Sequence, residues 1–253
     1  MSATSGSPVL DRDRVRAWQR PRGPALMRQR WERLAFLHWP VEPAAIAPLL
    51  PAGLEVDTWD GAAYVGLVPF TITRARPSGL PPLPGLSSFH ELNFRTYVHR
   101  GGAEPGVWFF SLDAASRAAV ALARLAYKLP YHHARMALAE DSAGVVSFES
   151  HRIDPPSTRF ACAYAAEARA HPARVGTLPF FLIERYLLYS WDGRRLRTAR
   201  VWHRPYPIQP ARVEELEQDL TARANLSLEG RPPLAHYCHE LDVRIYRPRR
   251  VPI

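Results

Sequence analysis

The residues best suited to chemistry lie on two short stretches of the chain. His90-Glu-Leu-Asn-Phe-Arg-Thr-Tyr-Val98 alternates, so Leu92, Phe94, Thr96 and Val98 share one strand face and Glu91, Asn93, Arg95 and Tyr97 share the other. A carboxyl, an amide and a guanidinium in a row can line a cavity for a small organic acid. Arg95 would grip the acid's carboxylate through two parallel N–H donors. The same face turned to water would be an ordinary solvated strand. The second stretch, Lys128-Leu-Pro-Tyr-His-His133, offers Tyr131 and His132 as proton donor and acceptor. Histidine titrates near neutral pH and a phenol can donate to a developing oxyanion. A partly buried, hydrogen-bonded histidine is the plainer alternative.

Lys128 is the one lysine among 33 basic side chains; the rest are arginine. A lysine amine attacks a carbonyl only when deprotonated, a state that burial or a nearby cation such as Arg124 favours. Arg117, Arg124 and Lys128 equally make the solvated face of a helix. His236, Cys238 and His239 have a superficial metal-ligand look. On a strand, however, His239 faces away from the other two and no second cluster completes a ligand set, so no metal is expected. The sequence has no Gly-rich phosphate loop and no Gly-x-Ser-x-Gly elbow, which argues against nucleotide use and against that class of hydrolase. No cofactor is expected.

These side chains must be positioned by many short elements. Twenty-five prolines in 253 residues disfavour long helices. A first strand is predicted over Trp31–Trp39, a short helix opens at Pro43, and a hairpin turns at Asp60-Gly61. Residues 76–85 carry four prolines and read as a stiff loop able to rim a site. Strands are expected over 90–98 and 107–112. A helix capped by Asp113 follows, runs to Lys128 with an apolar stripe of Ala118, Leu122, Leu125 and Leu129, and stops at Pro130. Further strands are expected over 131–139, 145–153, 159–170, 196–203 and 236–246, with a polar helix over 211–224. Many strands, few helices and no βαβ alternation predict an α+β fold with a mainly antiparallel, curved or barrel-like sheet.

Composition sets the outer limits. An apolar share of 47% and a charged share of 23% are globular. Residues 25–253 are expected to form a single domain, with 1–24 a disordered or loosely docked arm. No apolar run reaches the roughly 18 residues of a membrane span. The first residues lack the pattern of a secretory signal and only two cysteines occur, so a cytoplasmic protein is expected. The net charge of +9 suggests a polyanion partner, but the basic residues are scattered and no nucleic-acid motif accompanies them.

Several motifs are then familiar as an ordered series: Phe36-Leu-His-Trp-Pro-Val41, Tyr64-Val-Gly-Leu-Val-Pro-Phe70, Glu91-Leu-Asn-Phe-Arg-Thr-Tyr97, Trp108-Phe-Phe-Ser-Leu-Asp113, Ile183-Glu-Arg-Tyr186 and His203-Arg-Pro-Tyr-Pro207. Over about residues 30–224 the chain resembles the YqjF-like family of uncharacterised proteins, within the acetoacetate decarboxylase-like superfamily. The resemblance implies a cone or barrel of antiparallel strands around a buried pocket. It matches Glu91 to that superfamily's pocket glutamate. Laying Leu129-Pro130 on the decarboxylases' Phe-Pro-Lys-Lys motif puts Tyr131 and His132 where the two lysines would stand, so the Schiff-base nucleophile is absent in that register. The expected function is therefore binding of a small organic or keto acid in an enclosed polar pocket of Glu91, Asn93, Arg95, Tyr131 and His132. Any chemistry there would be cofactor-independent acid/base work of lyase or isomerase type on a carbonyl or carboxylate substrate. A Schiff-base lyase using Lys128 is one alternative, and a non-catalytic ligand- or polyanion-binding protein is another. Neither a membrane nor a specific nucleic-acid partner is expected, and a homo-oligomer is compatible with this reading.

Overall fold

Runs of β-branched and aromatic residues broken by Gly and Pro turns favour strands almost throughout. The computed structural model describes residues 8–251 except 86, 227, 229 and 231. Its strands are β1 (Met27–Val41), β2 (Glu55–Val56), β3 (Ala63–Pro77), β4 (Phe89–Arg100), β5 (Ala103–Ala114), β6 (Tyr131–Glu140), β7 (Val146–Arg152) and β8 (Arg159–Ala166). They continue with β9 (His171–Pro172), β10 (Leu187–Trp191), β11 (Leu196–Trp202), β12 (Pro207–Gln218), β13 (Leu234–Ile245) and β14 (Arg249–Arg250). Four short helices accompany them: α1 (Pro8–Arg16), α2 (Pro43–Ile46), α3 (Arg117–Tyr127) and α4 (Leu178–Ile183).

The pairings are antiparallel except where β5 lies parallel to β6 and to β10. Because β4 also pairs with β5 and β11 with β13, the ladder runs β13–β1–β3–β4–β5–β10–β11 and returns to β13. A sheet this curved has two useful faces. One face carries Phe36, Tyr64, Val68, Phe70, Tyr97, Phe109 and Leu112, together with α4 and the inner side of β13. The opposite face of β1, β3 and β4 buries Leu37, Val65, Leu67, Leu92 and Phe94 against Phe148, Phe160 and Tyr164 of β7 and β8. Hence β4 is buried on both faces, and its polar residues Glu91, Asn93 and Arg95 are interior.

Strict alternation does not survive along the longest strands. Arg33 adopts φ 54° and Arg74 φ 51°, and bulges interrupt the β1–β3 register between Glu32 and Leu37 and the β4–β5 register between Phe94 and Arg95. An inserted residue shifts which neighbours share a face. On β1, Trp31 before the bulge and Leu34 and Phe36 after it therefore line the same cavity. On β5, Phe109 and Leu112 do the same.

Three expected elements differ. Residues 8–16 form α1, whose Arg14 is 2% exposed and bonds Asp57 at 2.6 Å, so this part of the arm is tied to the sheet by a buried ion pair. The helix after β5 starts later, because Ser116 and not Asp113 accepts the Ala119 N–H (3.2 Å) as its cap. Asp113 is taken instead by Arg152. This helix buries Val120 and Tyr127 and leaves Leu125 72% exposed, which departs from the expected stripe. Residues 211–224 are not a helix. They form the end of β12, paired with β8 across Ala211–Gln218, and a single 3-10 turn, Thr221–Ala224. A free ladder edge between β8 and β13 outweighs the helix propensity of the Glu-rich segment.

Candidate functional site

A cavity of about 280 Å³ opens among β1, β3, β4 and β5, roofed by α3 and by Pro81 and Leu83 of the proline-rich loop. The strand registers order its depth. Glu91 lies opposite Phe70 and Ala114, Asn93 opposite Val68 and Leu112, and Arg95 opposite Gly66 and Phe109. At about 3.3 Å per residue, Glu91 and Arg95 are roughly 13 Å apart along the strand. Phe89 and Ile72 stand toward the mouth, and Arg95 stands at the floor.

Glu91 is 4% exposed, and its Oε2 accepts the Tyr131 hydroxyl at 2.9 Å. Burial pushes this carboxyl up to about 8, opposed by hydrogen bonds from Tyr131 and Asn93. At neutral pH Glu91 is therefore mainly a neutral acid. Burial also raises Tyr131 well above the ordinary phenol range, helped by Glu91, so Tyr131 keeps its proton. Asn93 Oδ1 is buried without a partner.

Arg95, 8% exposed, is held by aromatic faces and not by a carboxylate. Its guanidinium sits 5.6 Å from the ring centres of Phe36 and Tyr97 and donates to the Tyr97 hydroxyl at 3.4 Å. Its Nε has no partner, and it has no ion pair among the described residues. Gly66 makes the floor possible, because a Cβ there would stand 3.1 Å from His38 Cδ2 and 3.2 Å from the Tyr97 hydroxyl. Those two side chains are joined at 2.6 Å. Burial lowers His38 well below the usual histidine range, so it is neutral.

Behind this floor lies a charged layer that sequence reasoning missed. Arg185 lines the cavity and bonds Asp57 at 2.5 Å, while Arg14 reaches the same carboxylate from α1. Arg14 and Arg185 share the buried Asp57, Arg14 pairs with Asp11 as well, and Arg185 NH2 is left without a partner among the described residues. Desolvation, then repulsion from Arg14, pulls Arg185 down to about 10 against the attraction of Asp57. Glu184 next to it accepts from Trp18 Nε1 at 3.2 Å, from the Tyr186 hydroxyl and from the Tyr206 N–H, fastening the residues after α1 to the sheet. The one signal in the sequence was a Glu-Arg pair set between apolar runs, Phe180–Ile183 and Tyr186–Leu188.

The sequence constellation is therefore divided. The structure brings Glu91, Asn93, Arg95 and Tyr131 to one cavity, whose walls are chiefly apolar and not polar as expected. It does not bring His132 or Lys128 there. Successive strand residues point to opposite faces, so Tyr131 enters the first cavity and His132 a second one of about 580 Å³ across β5. Burial, then repulsion from Arg152 and Arg124, lowers His132 to about 4. Lys128 is the left-handed C-cap of α3 (φ 55°, ψ 36°) and is exposed at the rim of the second cavity. Arg124 is engaged elsewhere, with the Tyr131 carbonyl and with Asp154. Among the described residues no three or more His, Cys, Asp or Glu side chains gather to hold a metal ion, and no helix is long and apolar enough to cross a membrane.

The fold is similar to that of an acetoacetate decarboxylase-like enzyme from Sphingomonas wittichii RW1 (TM-score 0.61, 14% identity, 91% of this chain and 94% of the other). It is also similar to that of the enduracididine biosynthesis enzyme MppR in complex with pyruvate (TM-score 0.60, 12% identity, 92% and 93%). The uncharacterized protein YqjF of Bacillus subtilis (strain 168) is 36% identical over 230 residues, 91% of this chain and 94% of its own. The DUF2071 model, described as an uncharacterized conserved protein, matches residues 28–242. The chain belongs to this DUF2071 family, with an acetoacetate decarboxylase-like fold.

Proposed function

We propose that this protein binds an organic carboxylate in the Glu91 cavity, its carboxylate on Arg95 and its chain extending past Asn93, so that a carbonyl or hydroxyl group remote from the carboxylate comes within reach of Glu91 and Tyr131. One observation carries the reading. Arg95 is a buried cation with no carboxylate partner among the described residues, in a cavity also lined by Arg185, which has to share Asp57 with Arg14. An unpaired buried charge is costly, and an anionic ligand removes that cost. The neutral Glu91 then offers a proton to a carbonyl oxygen, with Tyr131 hydrogen-bonded behind it. A volume of about 280 Å³ lies at the lower edge of the roughly 300–1,000 Å³ of ligand pockets, which suits a small acid. The pyruvate bound by MppR makes keto acids the first class to try, beginning with those whose keto group is remote from the carboxylate. Lys128 stands outside this cavity, so acid/base chemistry at Glu91 fits better than a Schiff base.

The test is a thermal-shift and calorimetric comparison of keto acids of increasing chain length with their neutral amides. Carboxylates should raise the melting temperature, amides should not, and Arg95→Met should abolish the difference. Equal responses to acid and amide, or a full carboxylate response in Arg95→Met, would overturn the proposal.

A further inference from the structure

The second cavity is a different volume, separated from the first by a wall to which Phe109 and Leu129 contribute on both sides. On β5, Trp108, Phe110 and Ser111 face it, and Trp191 of β10 joins them. Among the described residues its charged lining is Lys128, Arg152 and Arg223, with no carboxylate. Arg152, 4% exposed, is neutralised from behind by Asp113 at 2.7 Å and donates to the Ser111 hydroxyl at 2.9 Å, a fixed and buried anchor. Among the described residues Lys128 and Arg223 have no ion pair, and the Arg223 guanidinium donates to the Ser157 carbonyl. His132 also lines this cavity, and its Nδ1 is buried without a partner.

We propose that this cavity is a second binding site, for an aromatic phosphate monoester. Its phosphate would be held by Lys128, Arg223 and the His132 imidazole, and its ring would lie against Trp108, Phe110 and Trp191. Two cations with no ion pair among the described residues match a dianion, while the indole and phenyl walls give a planar ring apolar and offset-stacked contact. His132 is neutral at physiological pH because burial and Arg152 lower it, so it can donate one hydrogen bond to a phosphate oxygen without adding charge. The position of the chain's single lysine fits this role. It occupies a left-handed conformation that favours glycine, and it lines the second cavity and not the first. This site makes no use of Arg95 or Glu91 and stands or falls independently of the carboxylate reading.

The probe is phenyl phosphate, titrated by calorimetry and by quenching of tryptophan fluorescence, with inorganic phosphate and phenol as controls. Phenyl phosphate should bind more tightly than either control. A Lys128→Ala, Arg223→Ala double variant, exposed enough to fold normally, should weaken it about tenfold or more. Replacing both Trp108 and Trp191 by Phe should remove most of the quenching, and Arg95→Met should leave the affinity unchanged. Loss of binding in Arg95→Met with none in the double variant would assign the ligand to the first cavity and overturn the proposal. Absence of binding at millimolar phenyl phosphate, or equal binding of inorganic phosphate, would overturn it too.

Discussion

Replacing Glu91 by glutamine tests whether the first cavity is as dry as its geometry implies. Glutamine keeps the size of the side chain and an oxygen to accept the Tyr131 hydroxyl at 2.9 Å, but it cannot ionise. In the native protein burial holds the Glu91 carboxyl up to about 8, against 4.5 for an exposed one. A folded-state value above the unfolded one means that the contribution to stability is fully present below about pH 4.5. It shrinks as pH rises and is lost as pH passes through about 8. At 1.36 kcal/mol per pH unit the full effect is about 5 kcal/mol, of which about 3 kcal/mol falls between about pH 5.5 and about pH 7.5. Asp113 and Glu184 are raised in the same direction, and several buried histidines are lowered. Those groups are common to both proteins and cancel in the difference. The assay is urea unfolding of the native chain and Glu91→Gln at a series of pH values. The native protein should lose its advantage over the variant by about 3 kcal/mol across that range. Parallel pH profiles would refute the reasoning, because they would mean that water reaches the carboxylate and that Glu91 is ionised at neutral pH.

Two further perturbations follow from the packing. Asp57→Asn leaves Arg14 and Arg185 buried without the carboxylate they share. Urea unfolding should show a loss of about 3–5 kcal/mol, with faster hydrogen exchange in α1; a loss under about 1 kcal/mol would mean that water replaces the anion. Gly106→Ala would put a Cβ 2.7 Å from Tyr189 Cε2 and 2.8 Å from the Leu187 carbonyl oxygen. Scanning calorimetry should report a destabilisation of about 1–3 kcal/mol from the close approach of β5 and β10, and an unchanged melting temperature would show that the strands separate freely there.

Local pattern was enough to reveal much of this protein. The period-two alternation of residues 90–98 identified β4 and set Glu91, Asn93 and Arg95 on one face, because side-chain direction in a strand is a property of the backbone itself. The Asp60-Gly61 turn and the stop of α3 before Pro130 were legible for the same reason: the turn and the proline act within a few residues of themselves. Three matters were settled only by tertiary structure. The bulges at Arg33 and in β5 reverse the inward set partway along a strand, and no residue type there announces a positive φ. The segment 211–224 reads as a helix until β8 offers it a ladder. Tyr131 and His132, adjacent in sequence, part into two cavities, and the Arg14–Asp57–Arg185 layer joins residues up to 171 positions apart. Burial, charge pairing and cavity walls depend on which distant strands close around a residue, and that is information the chain acquires only by folding.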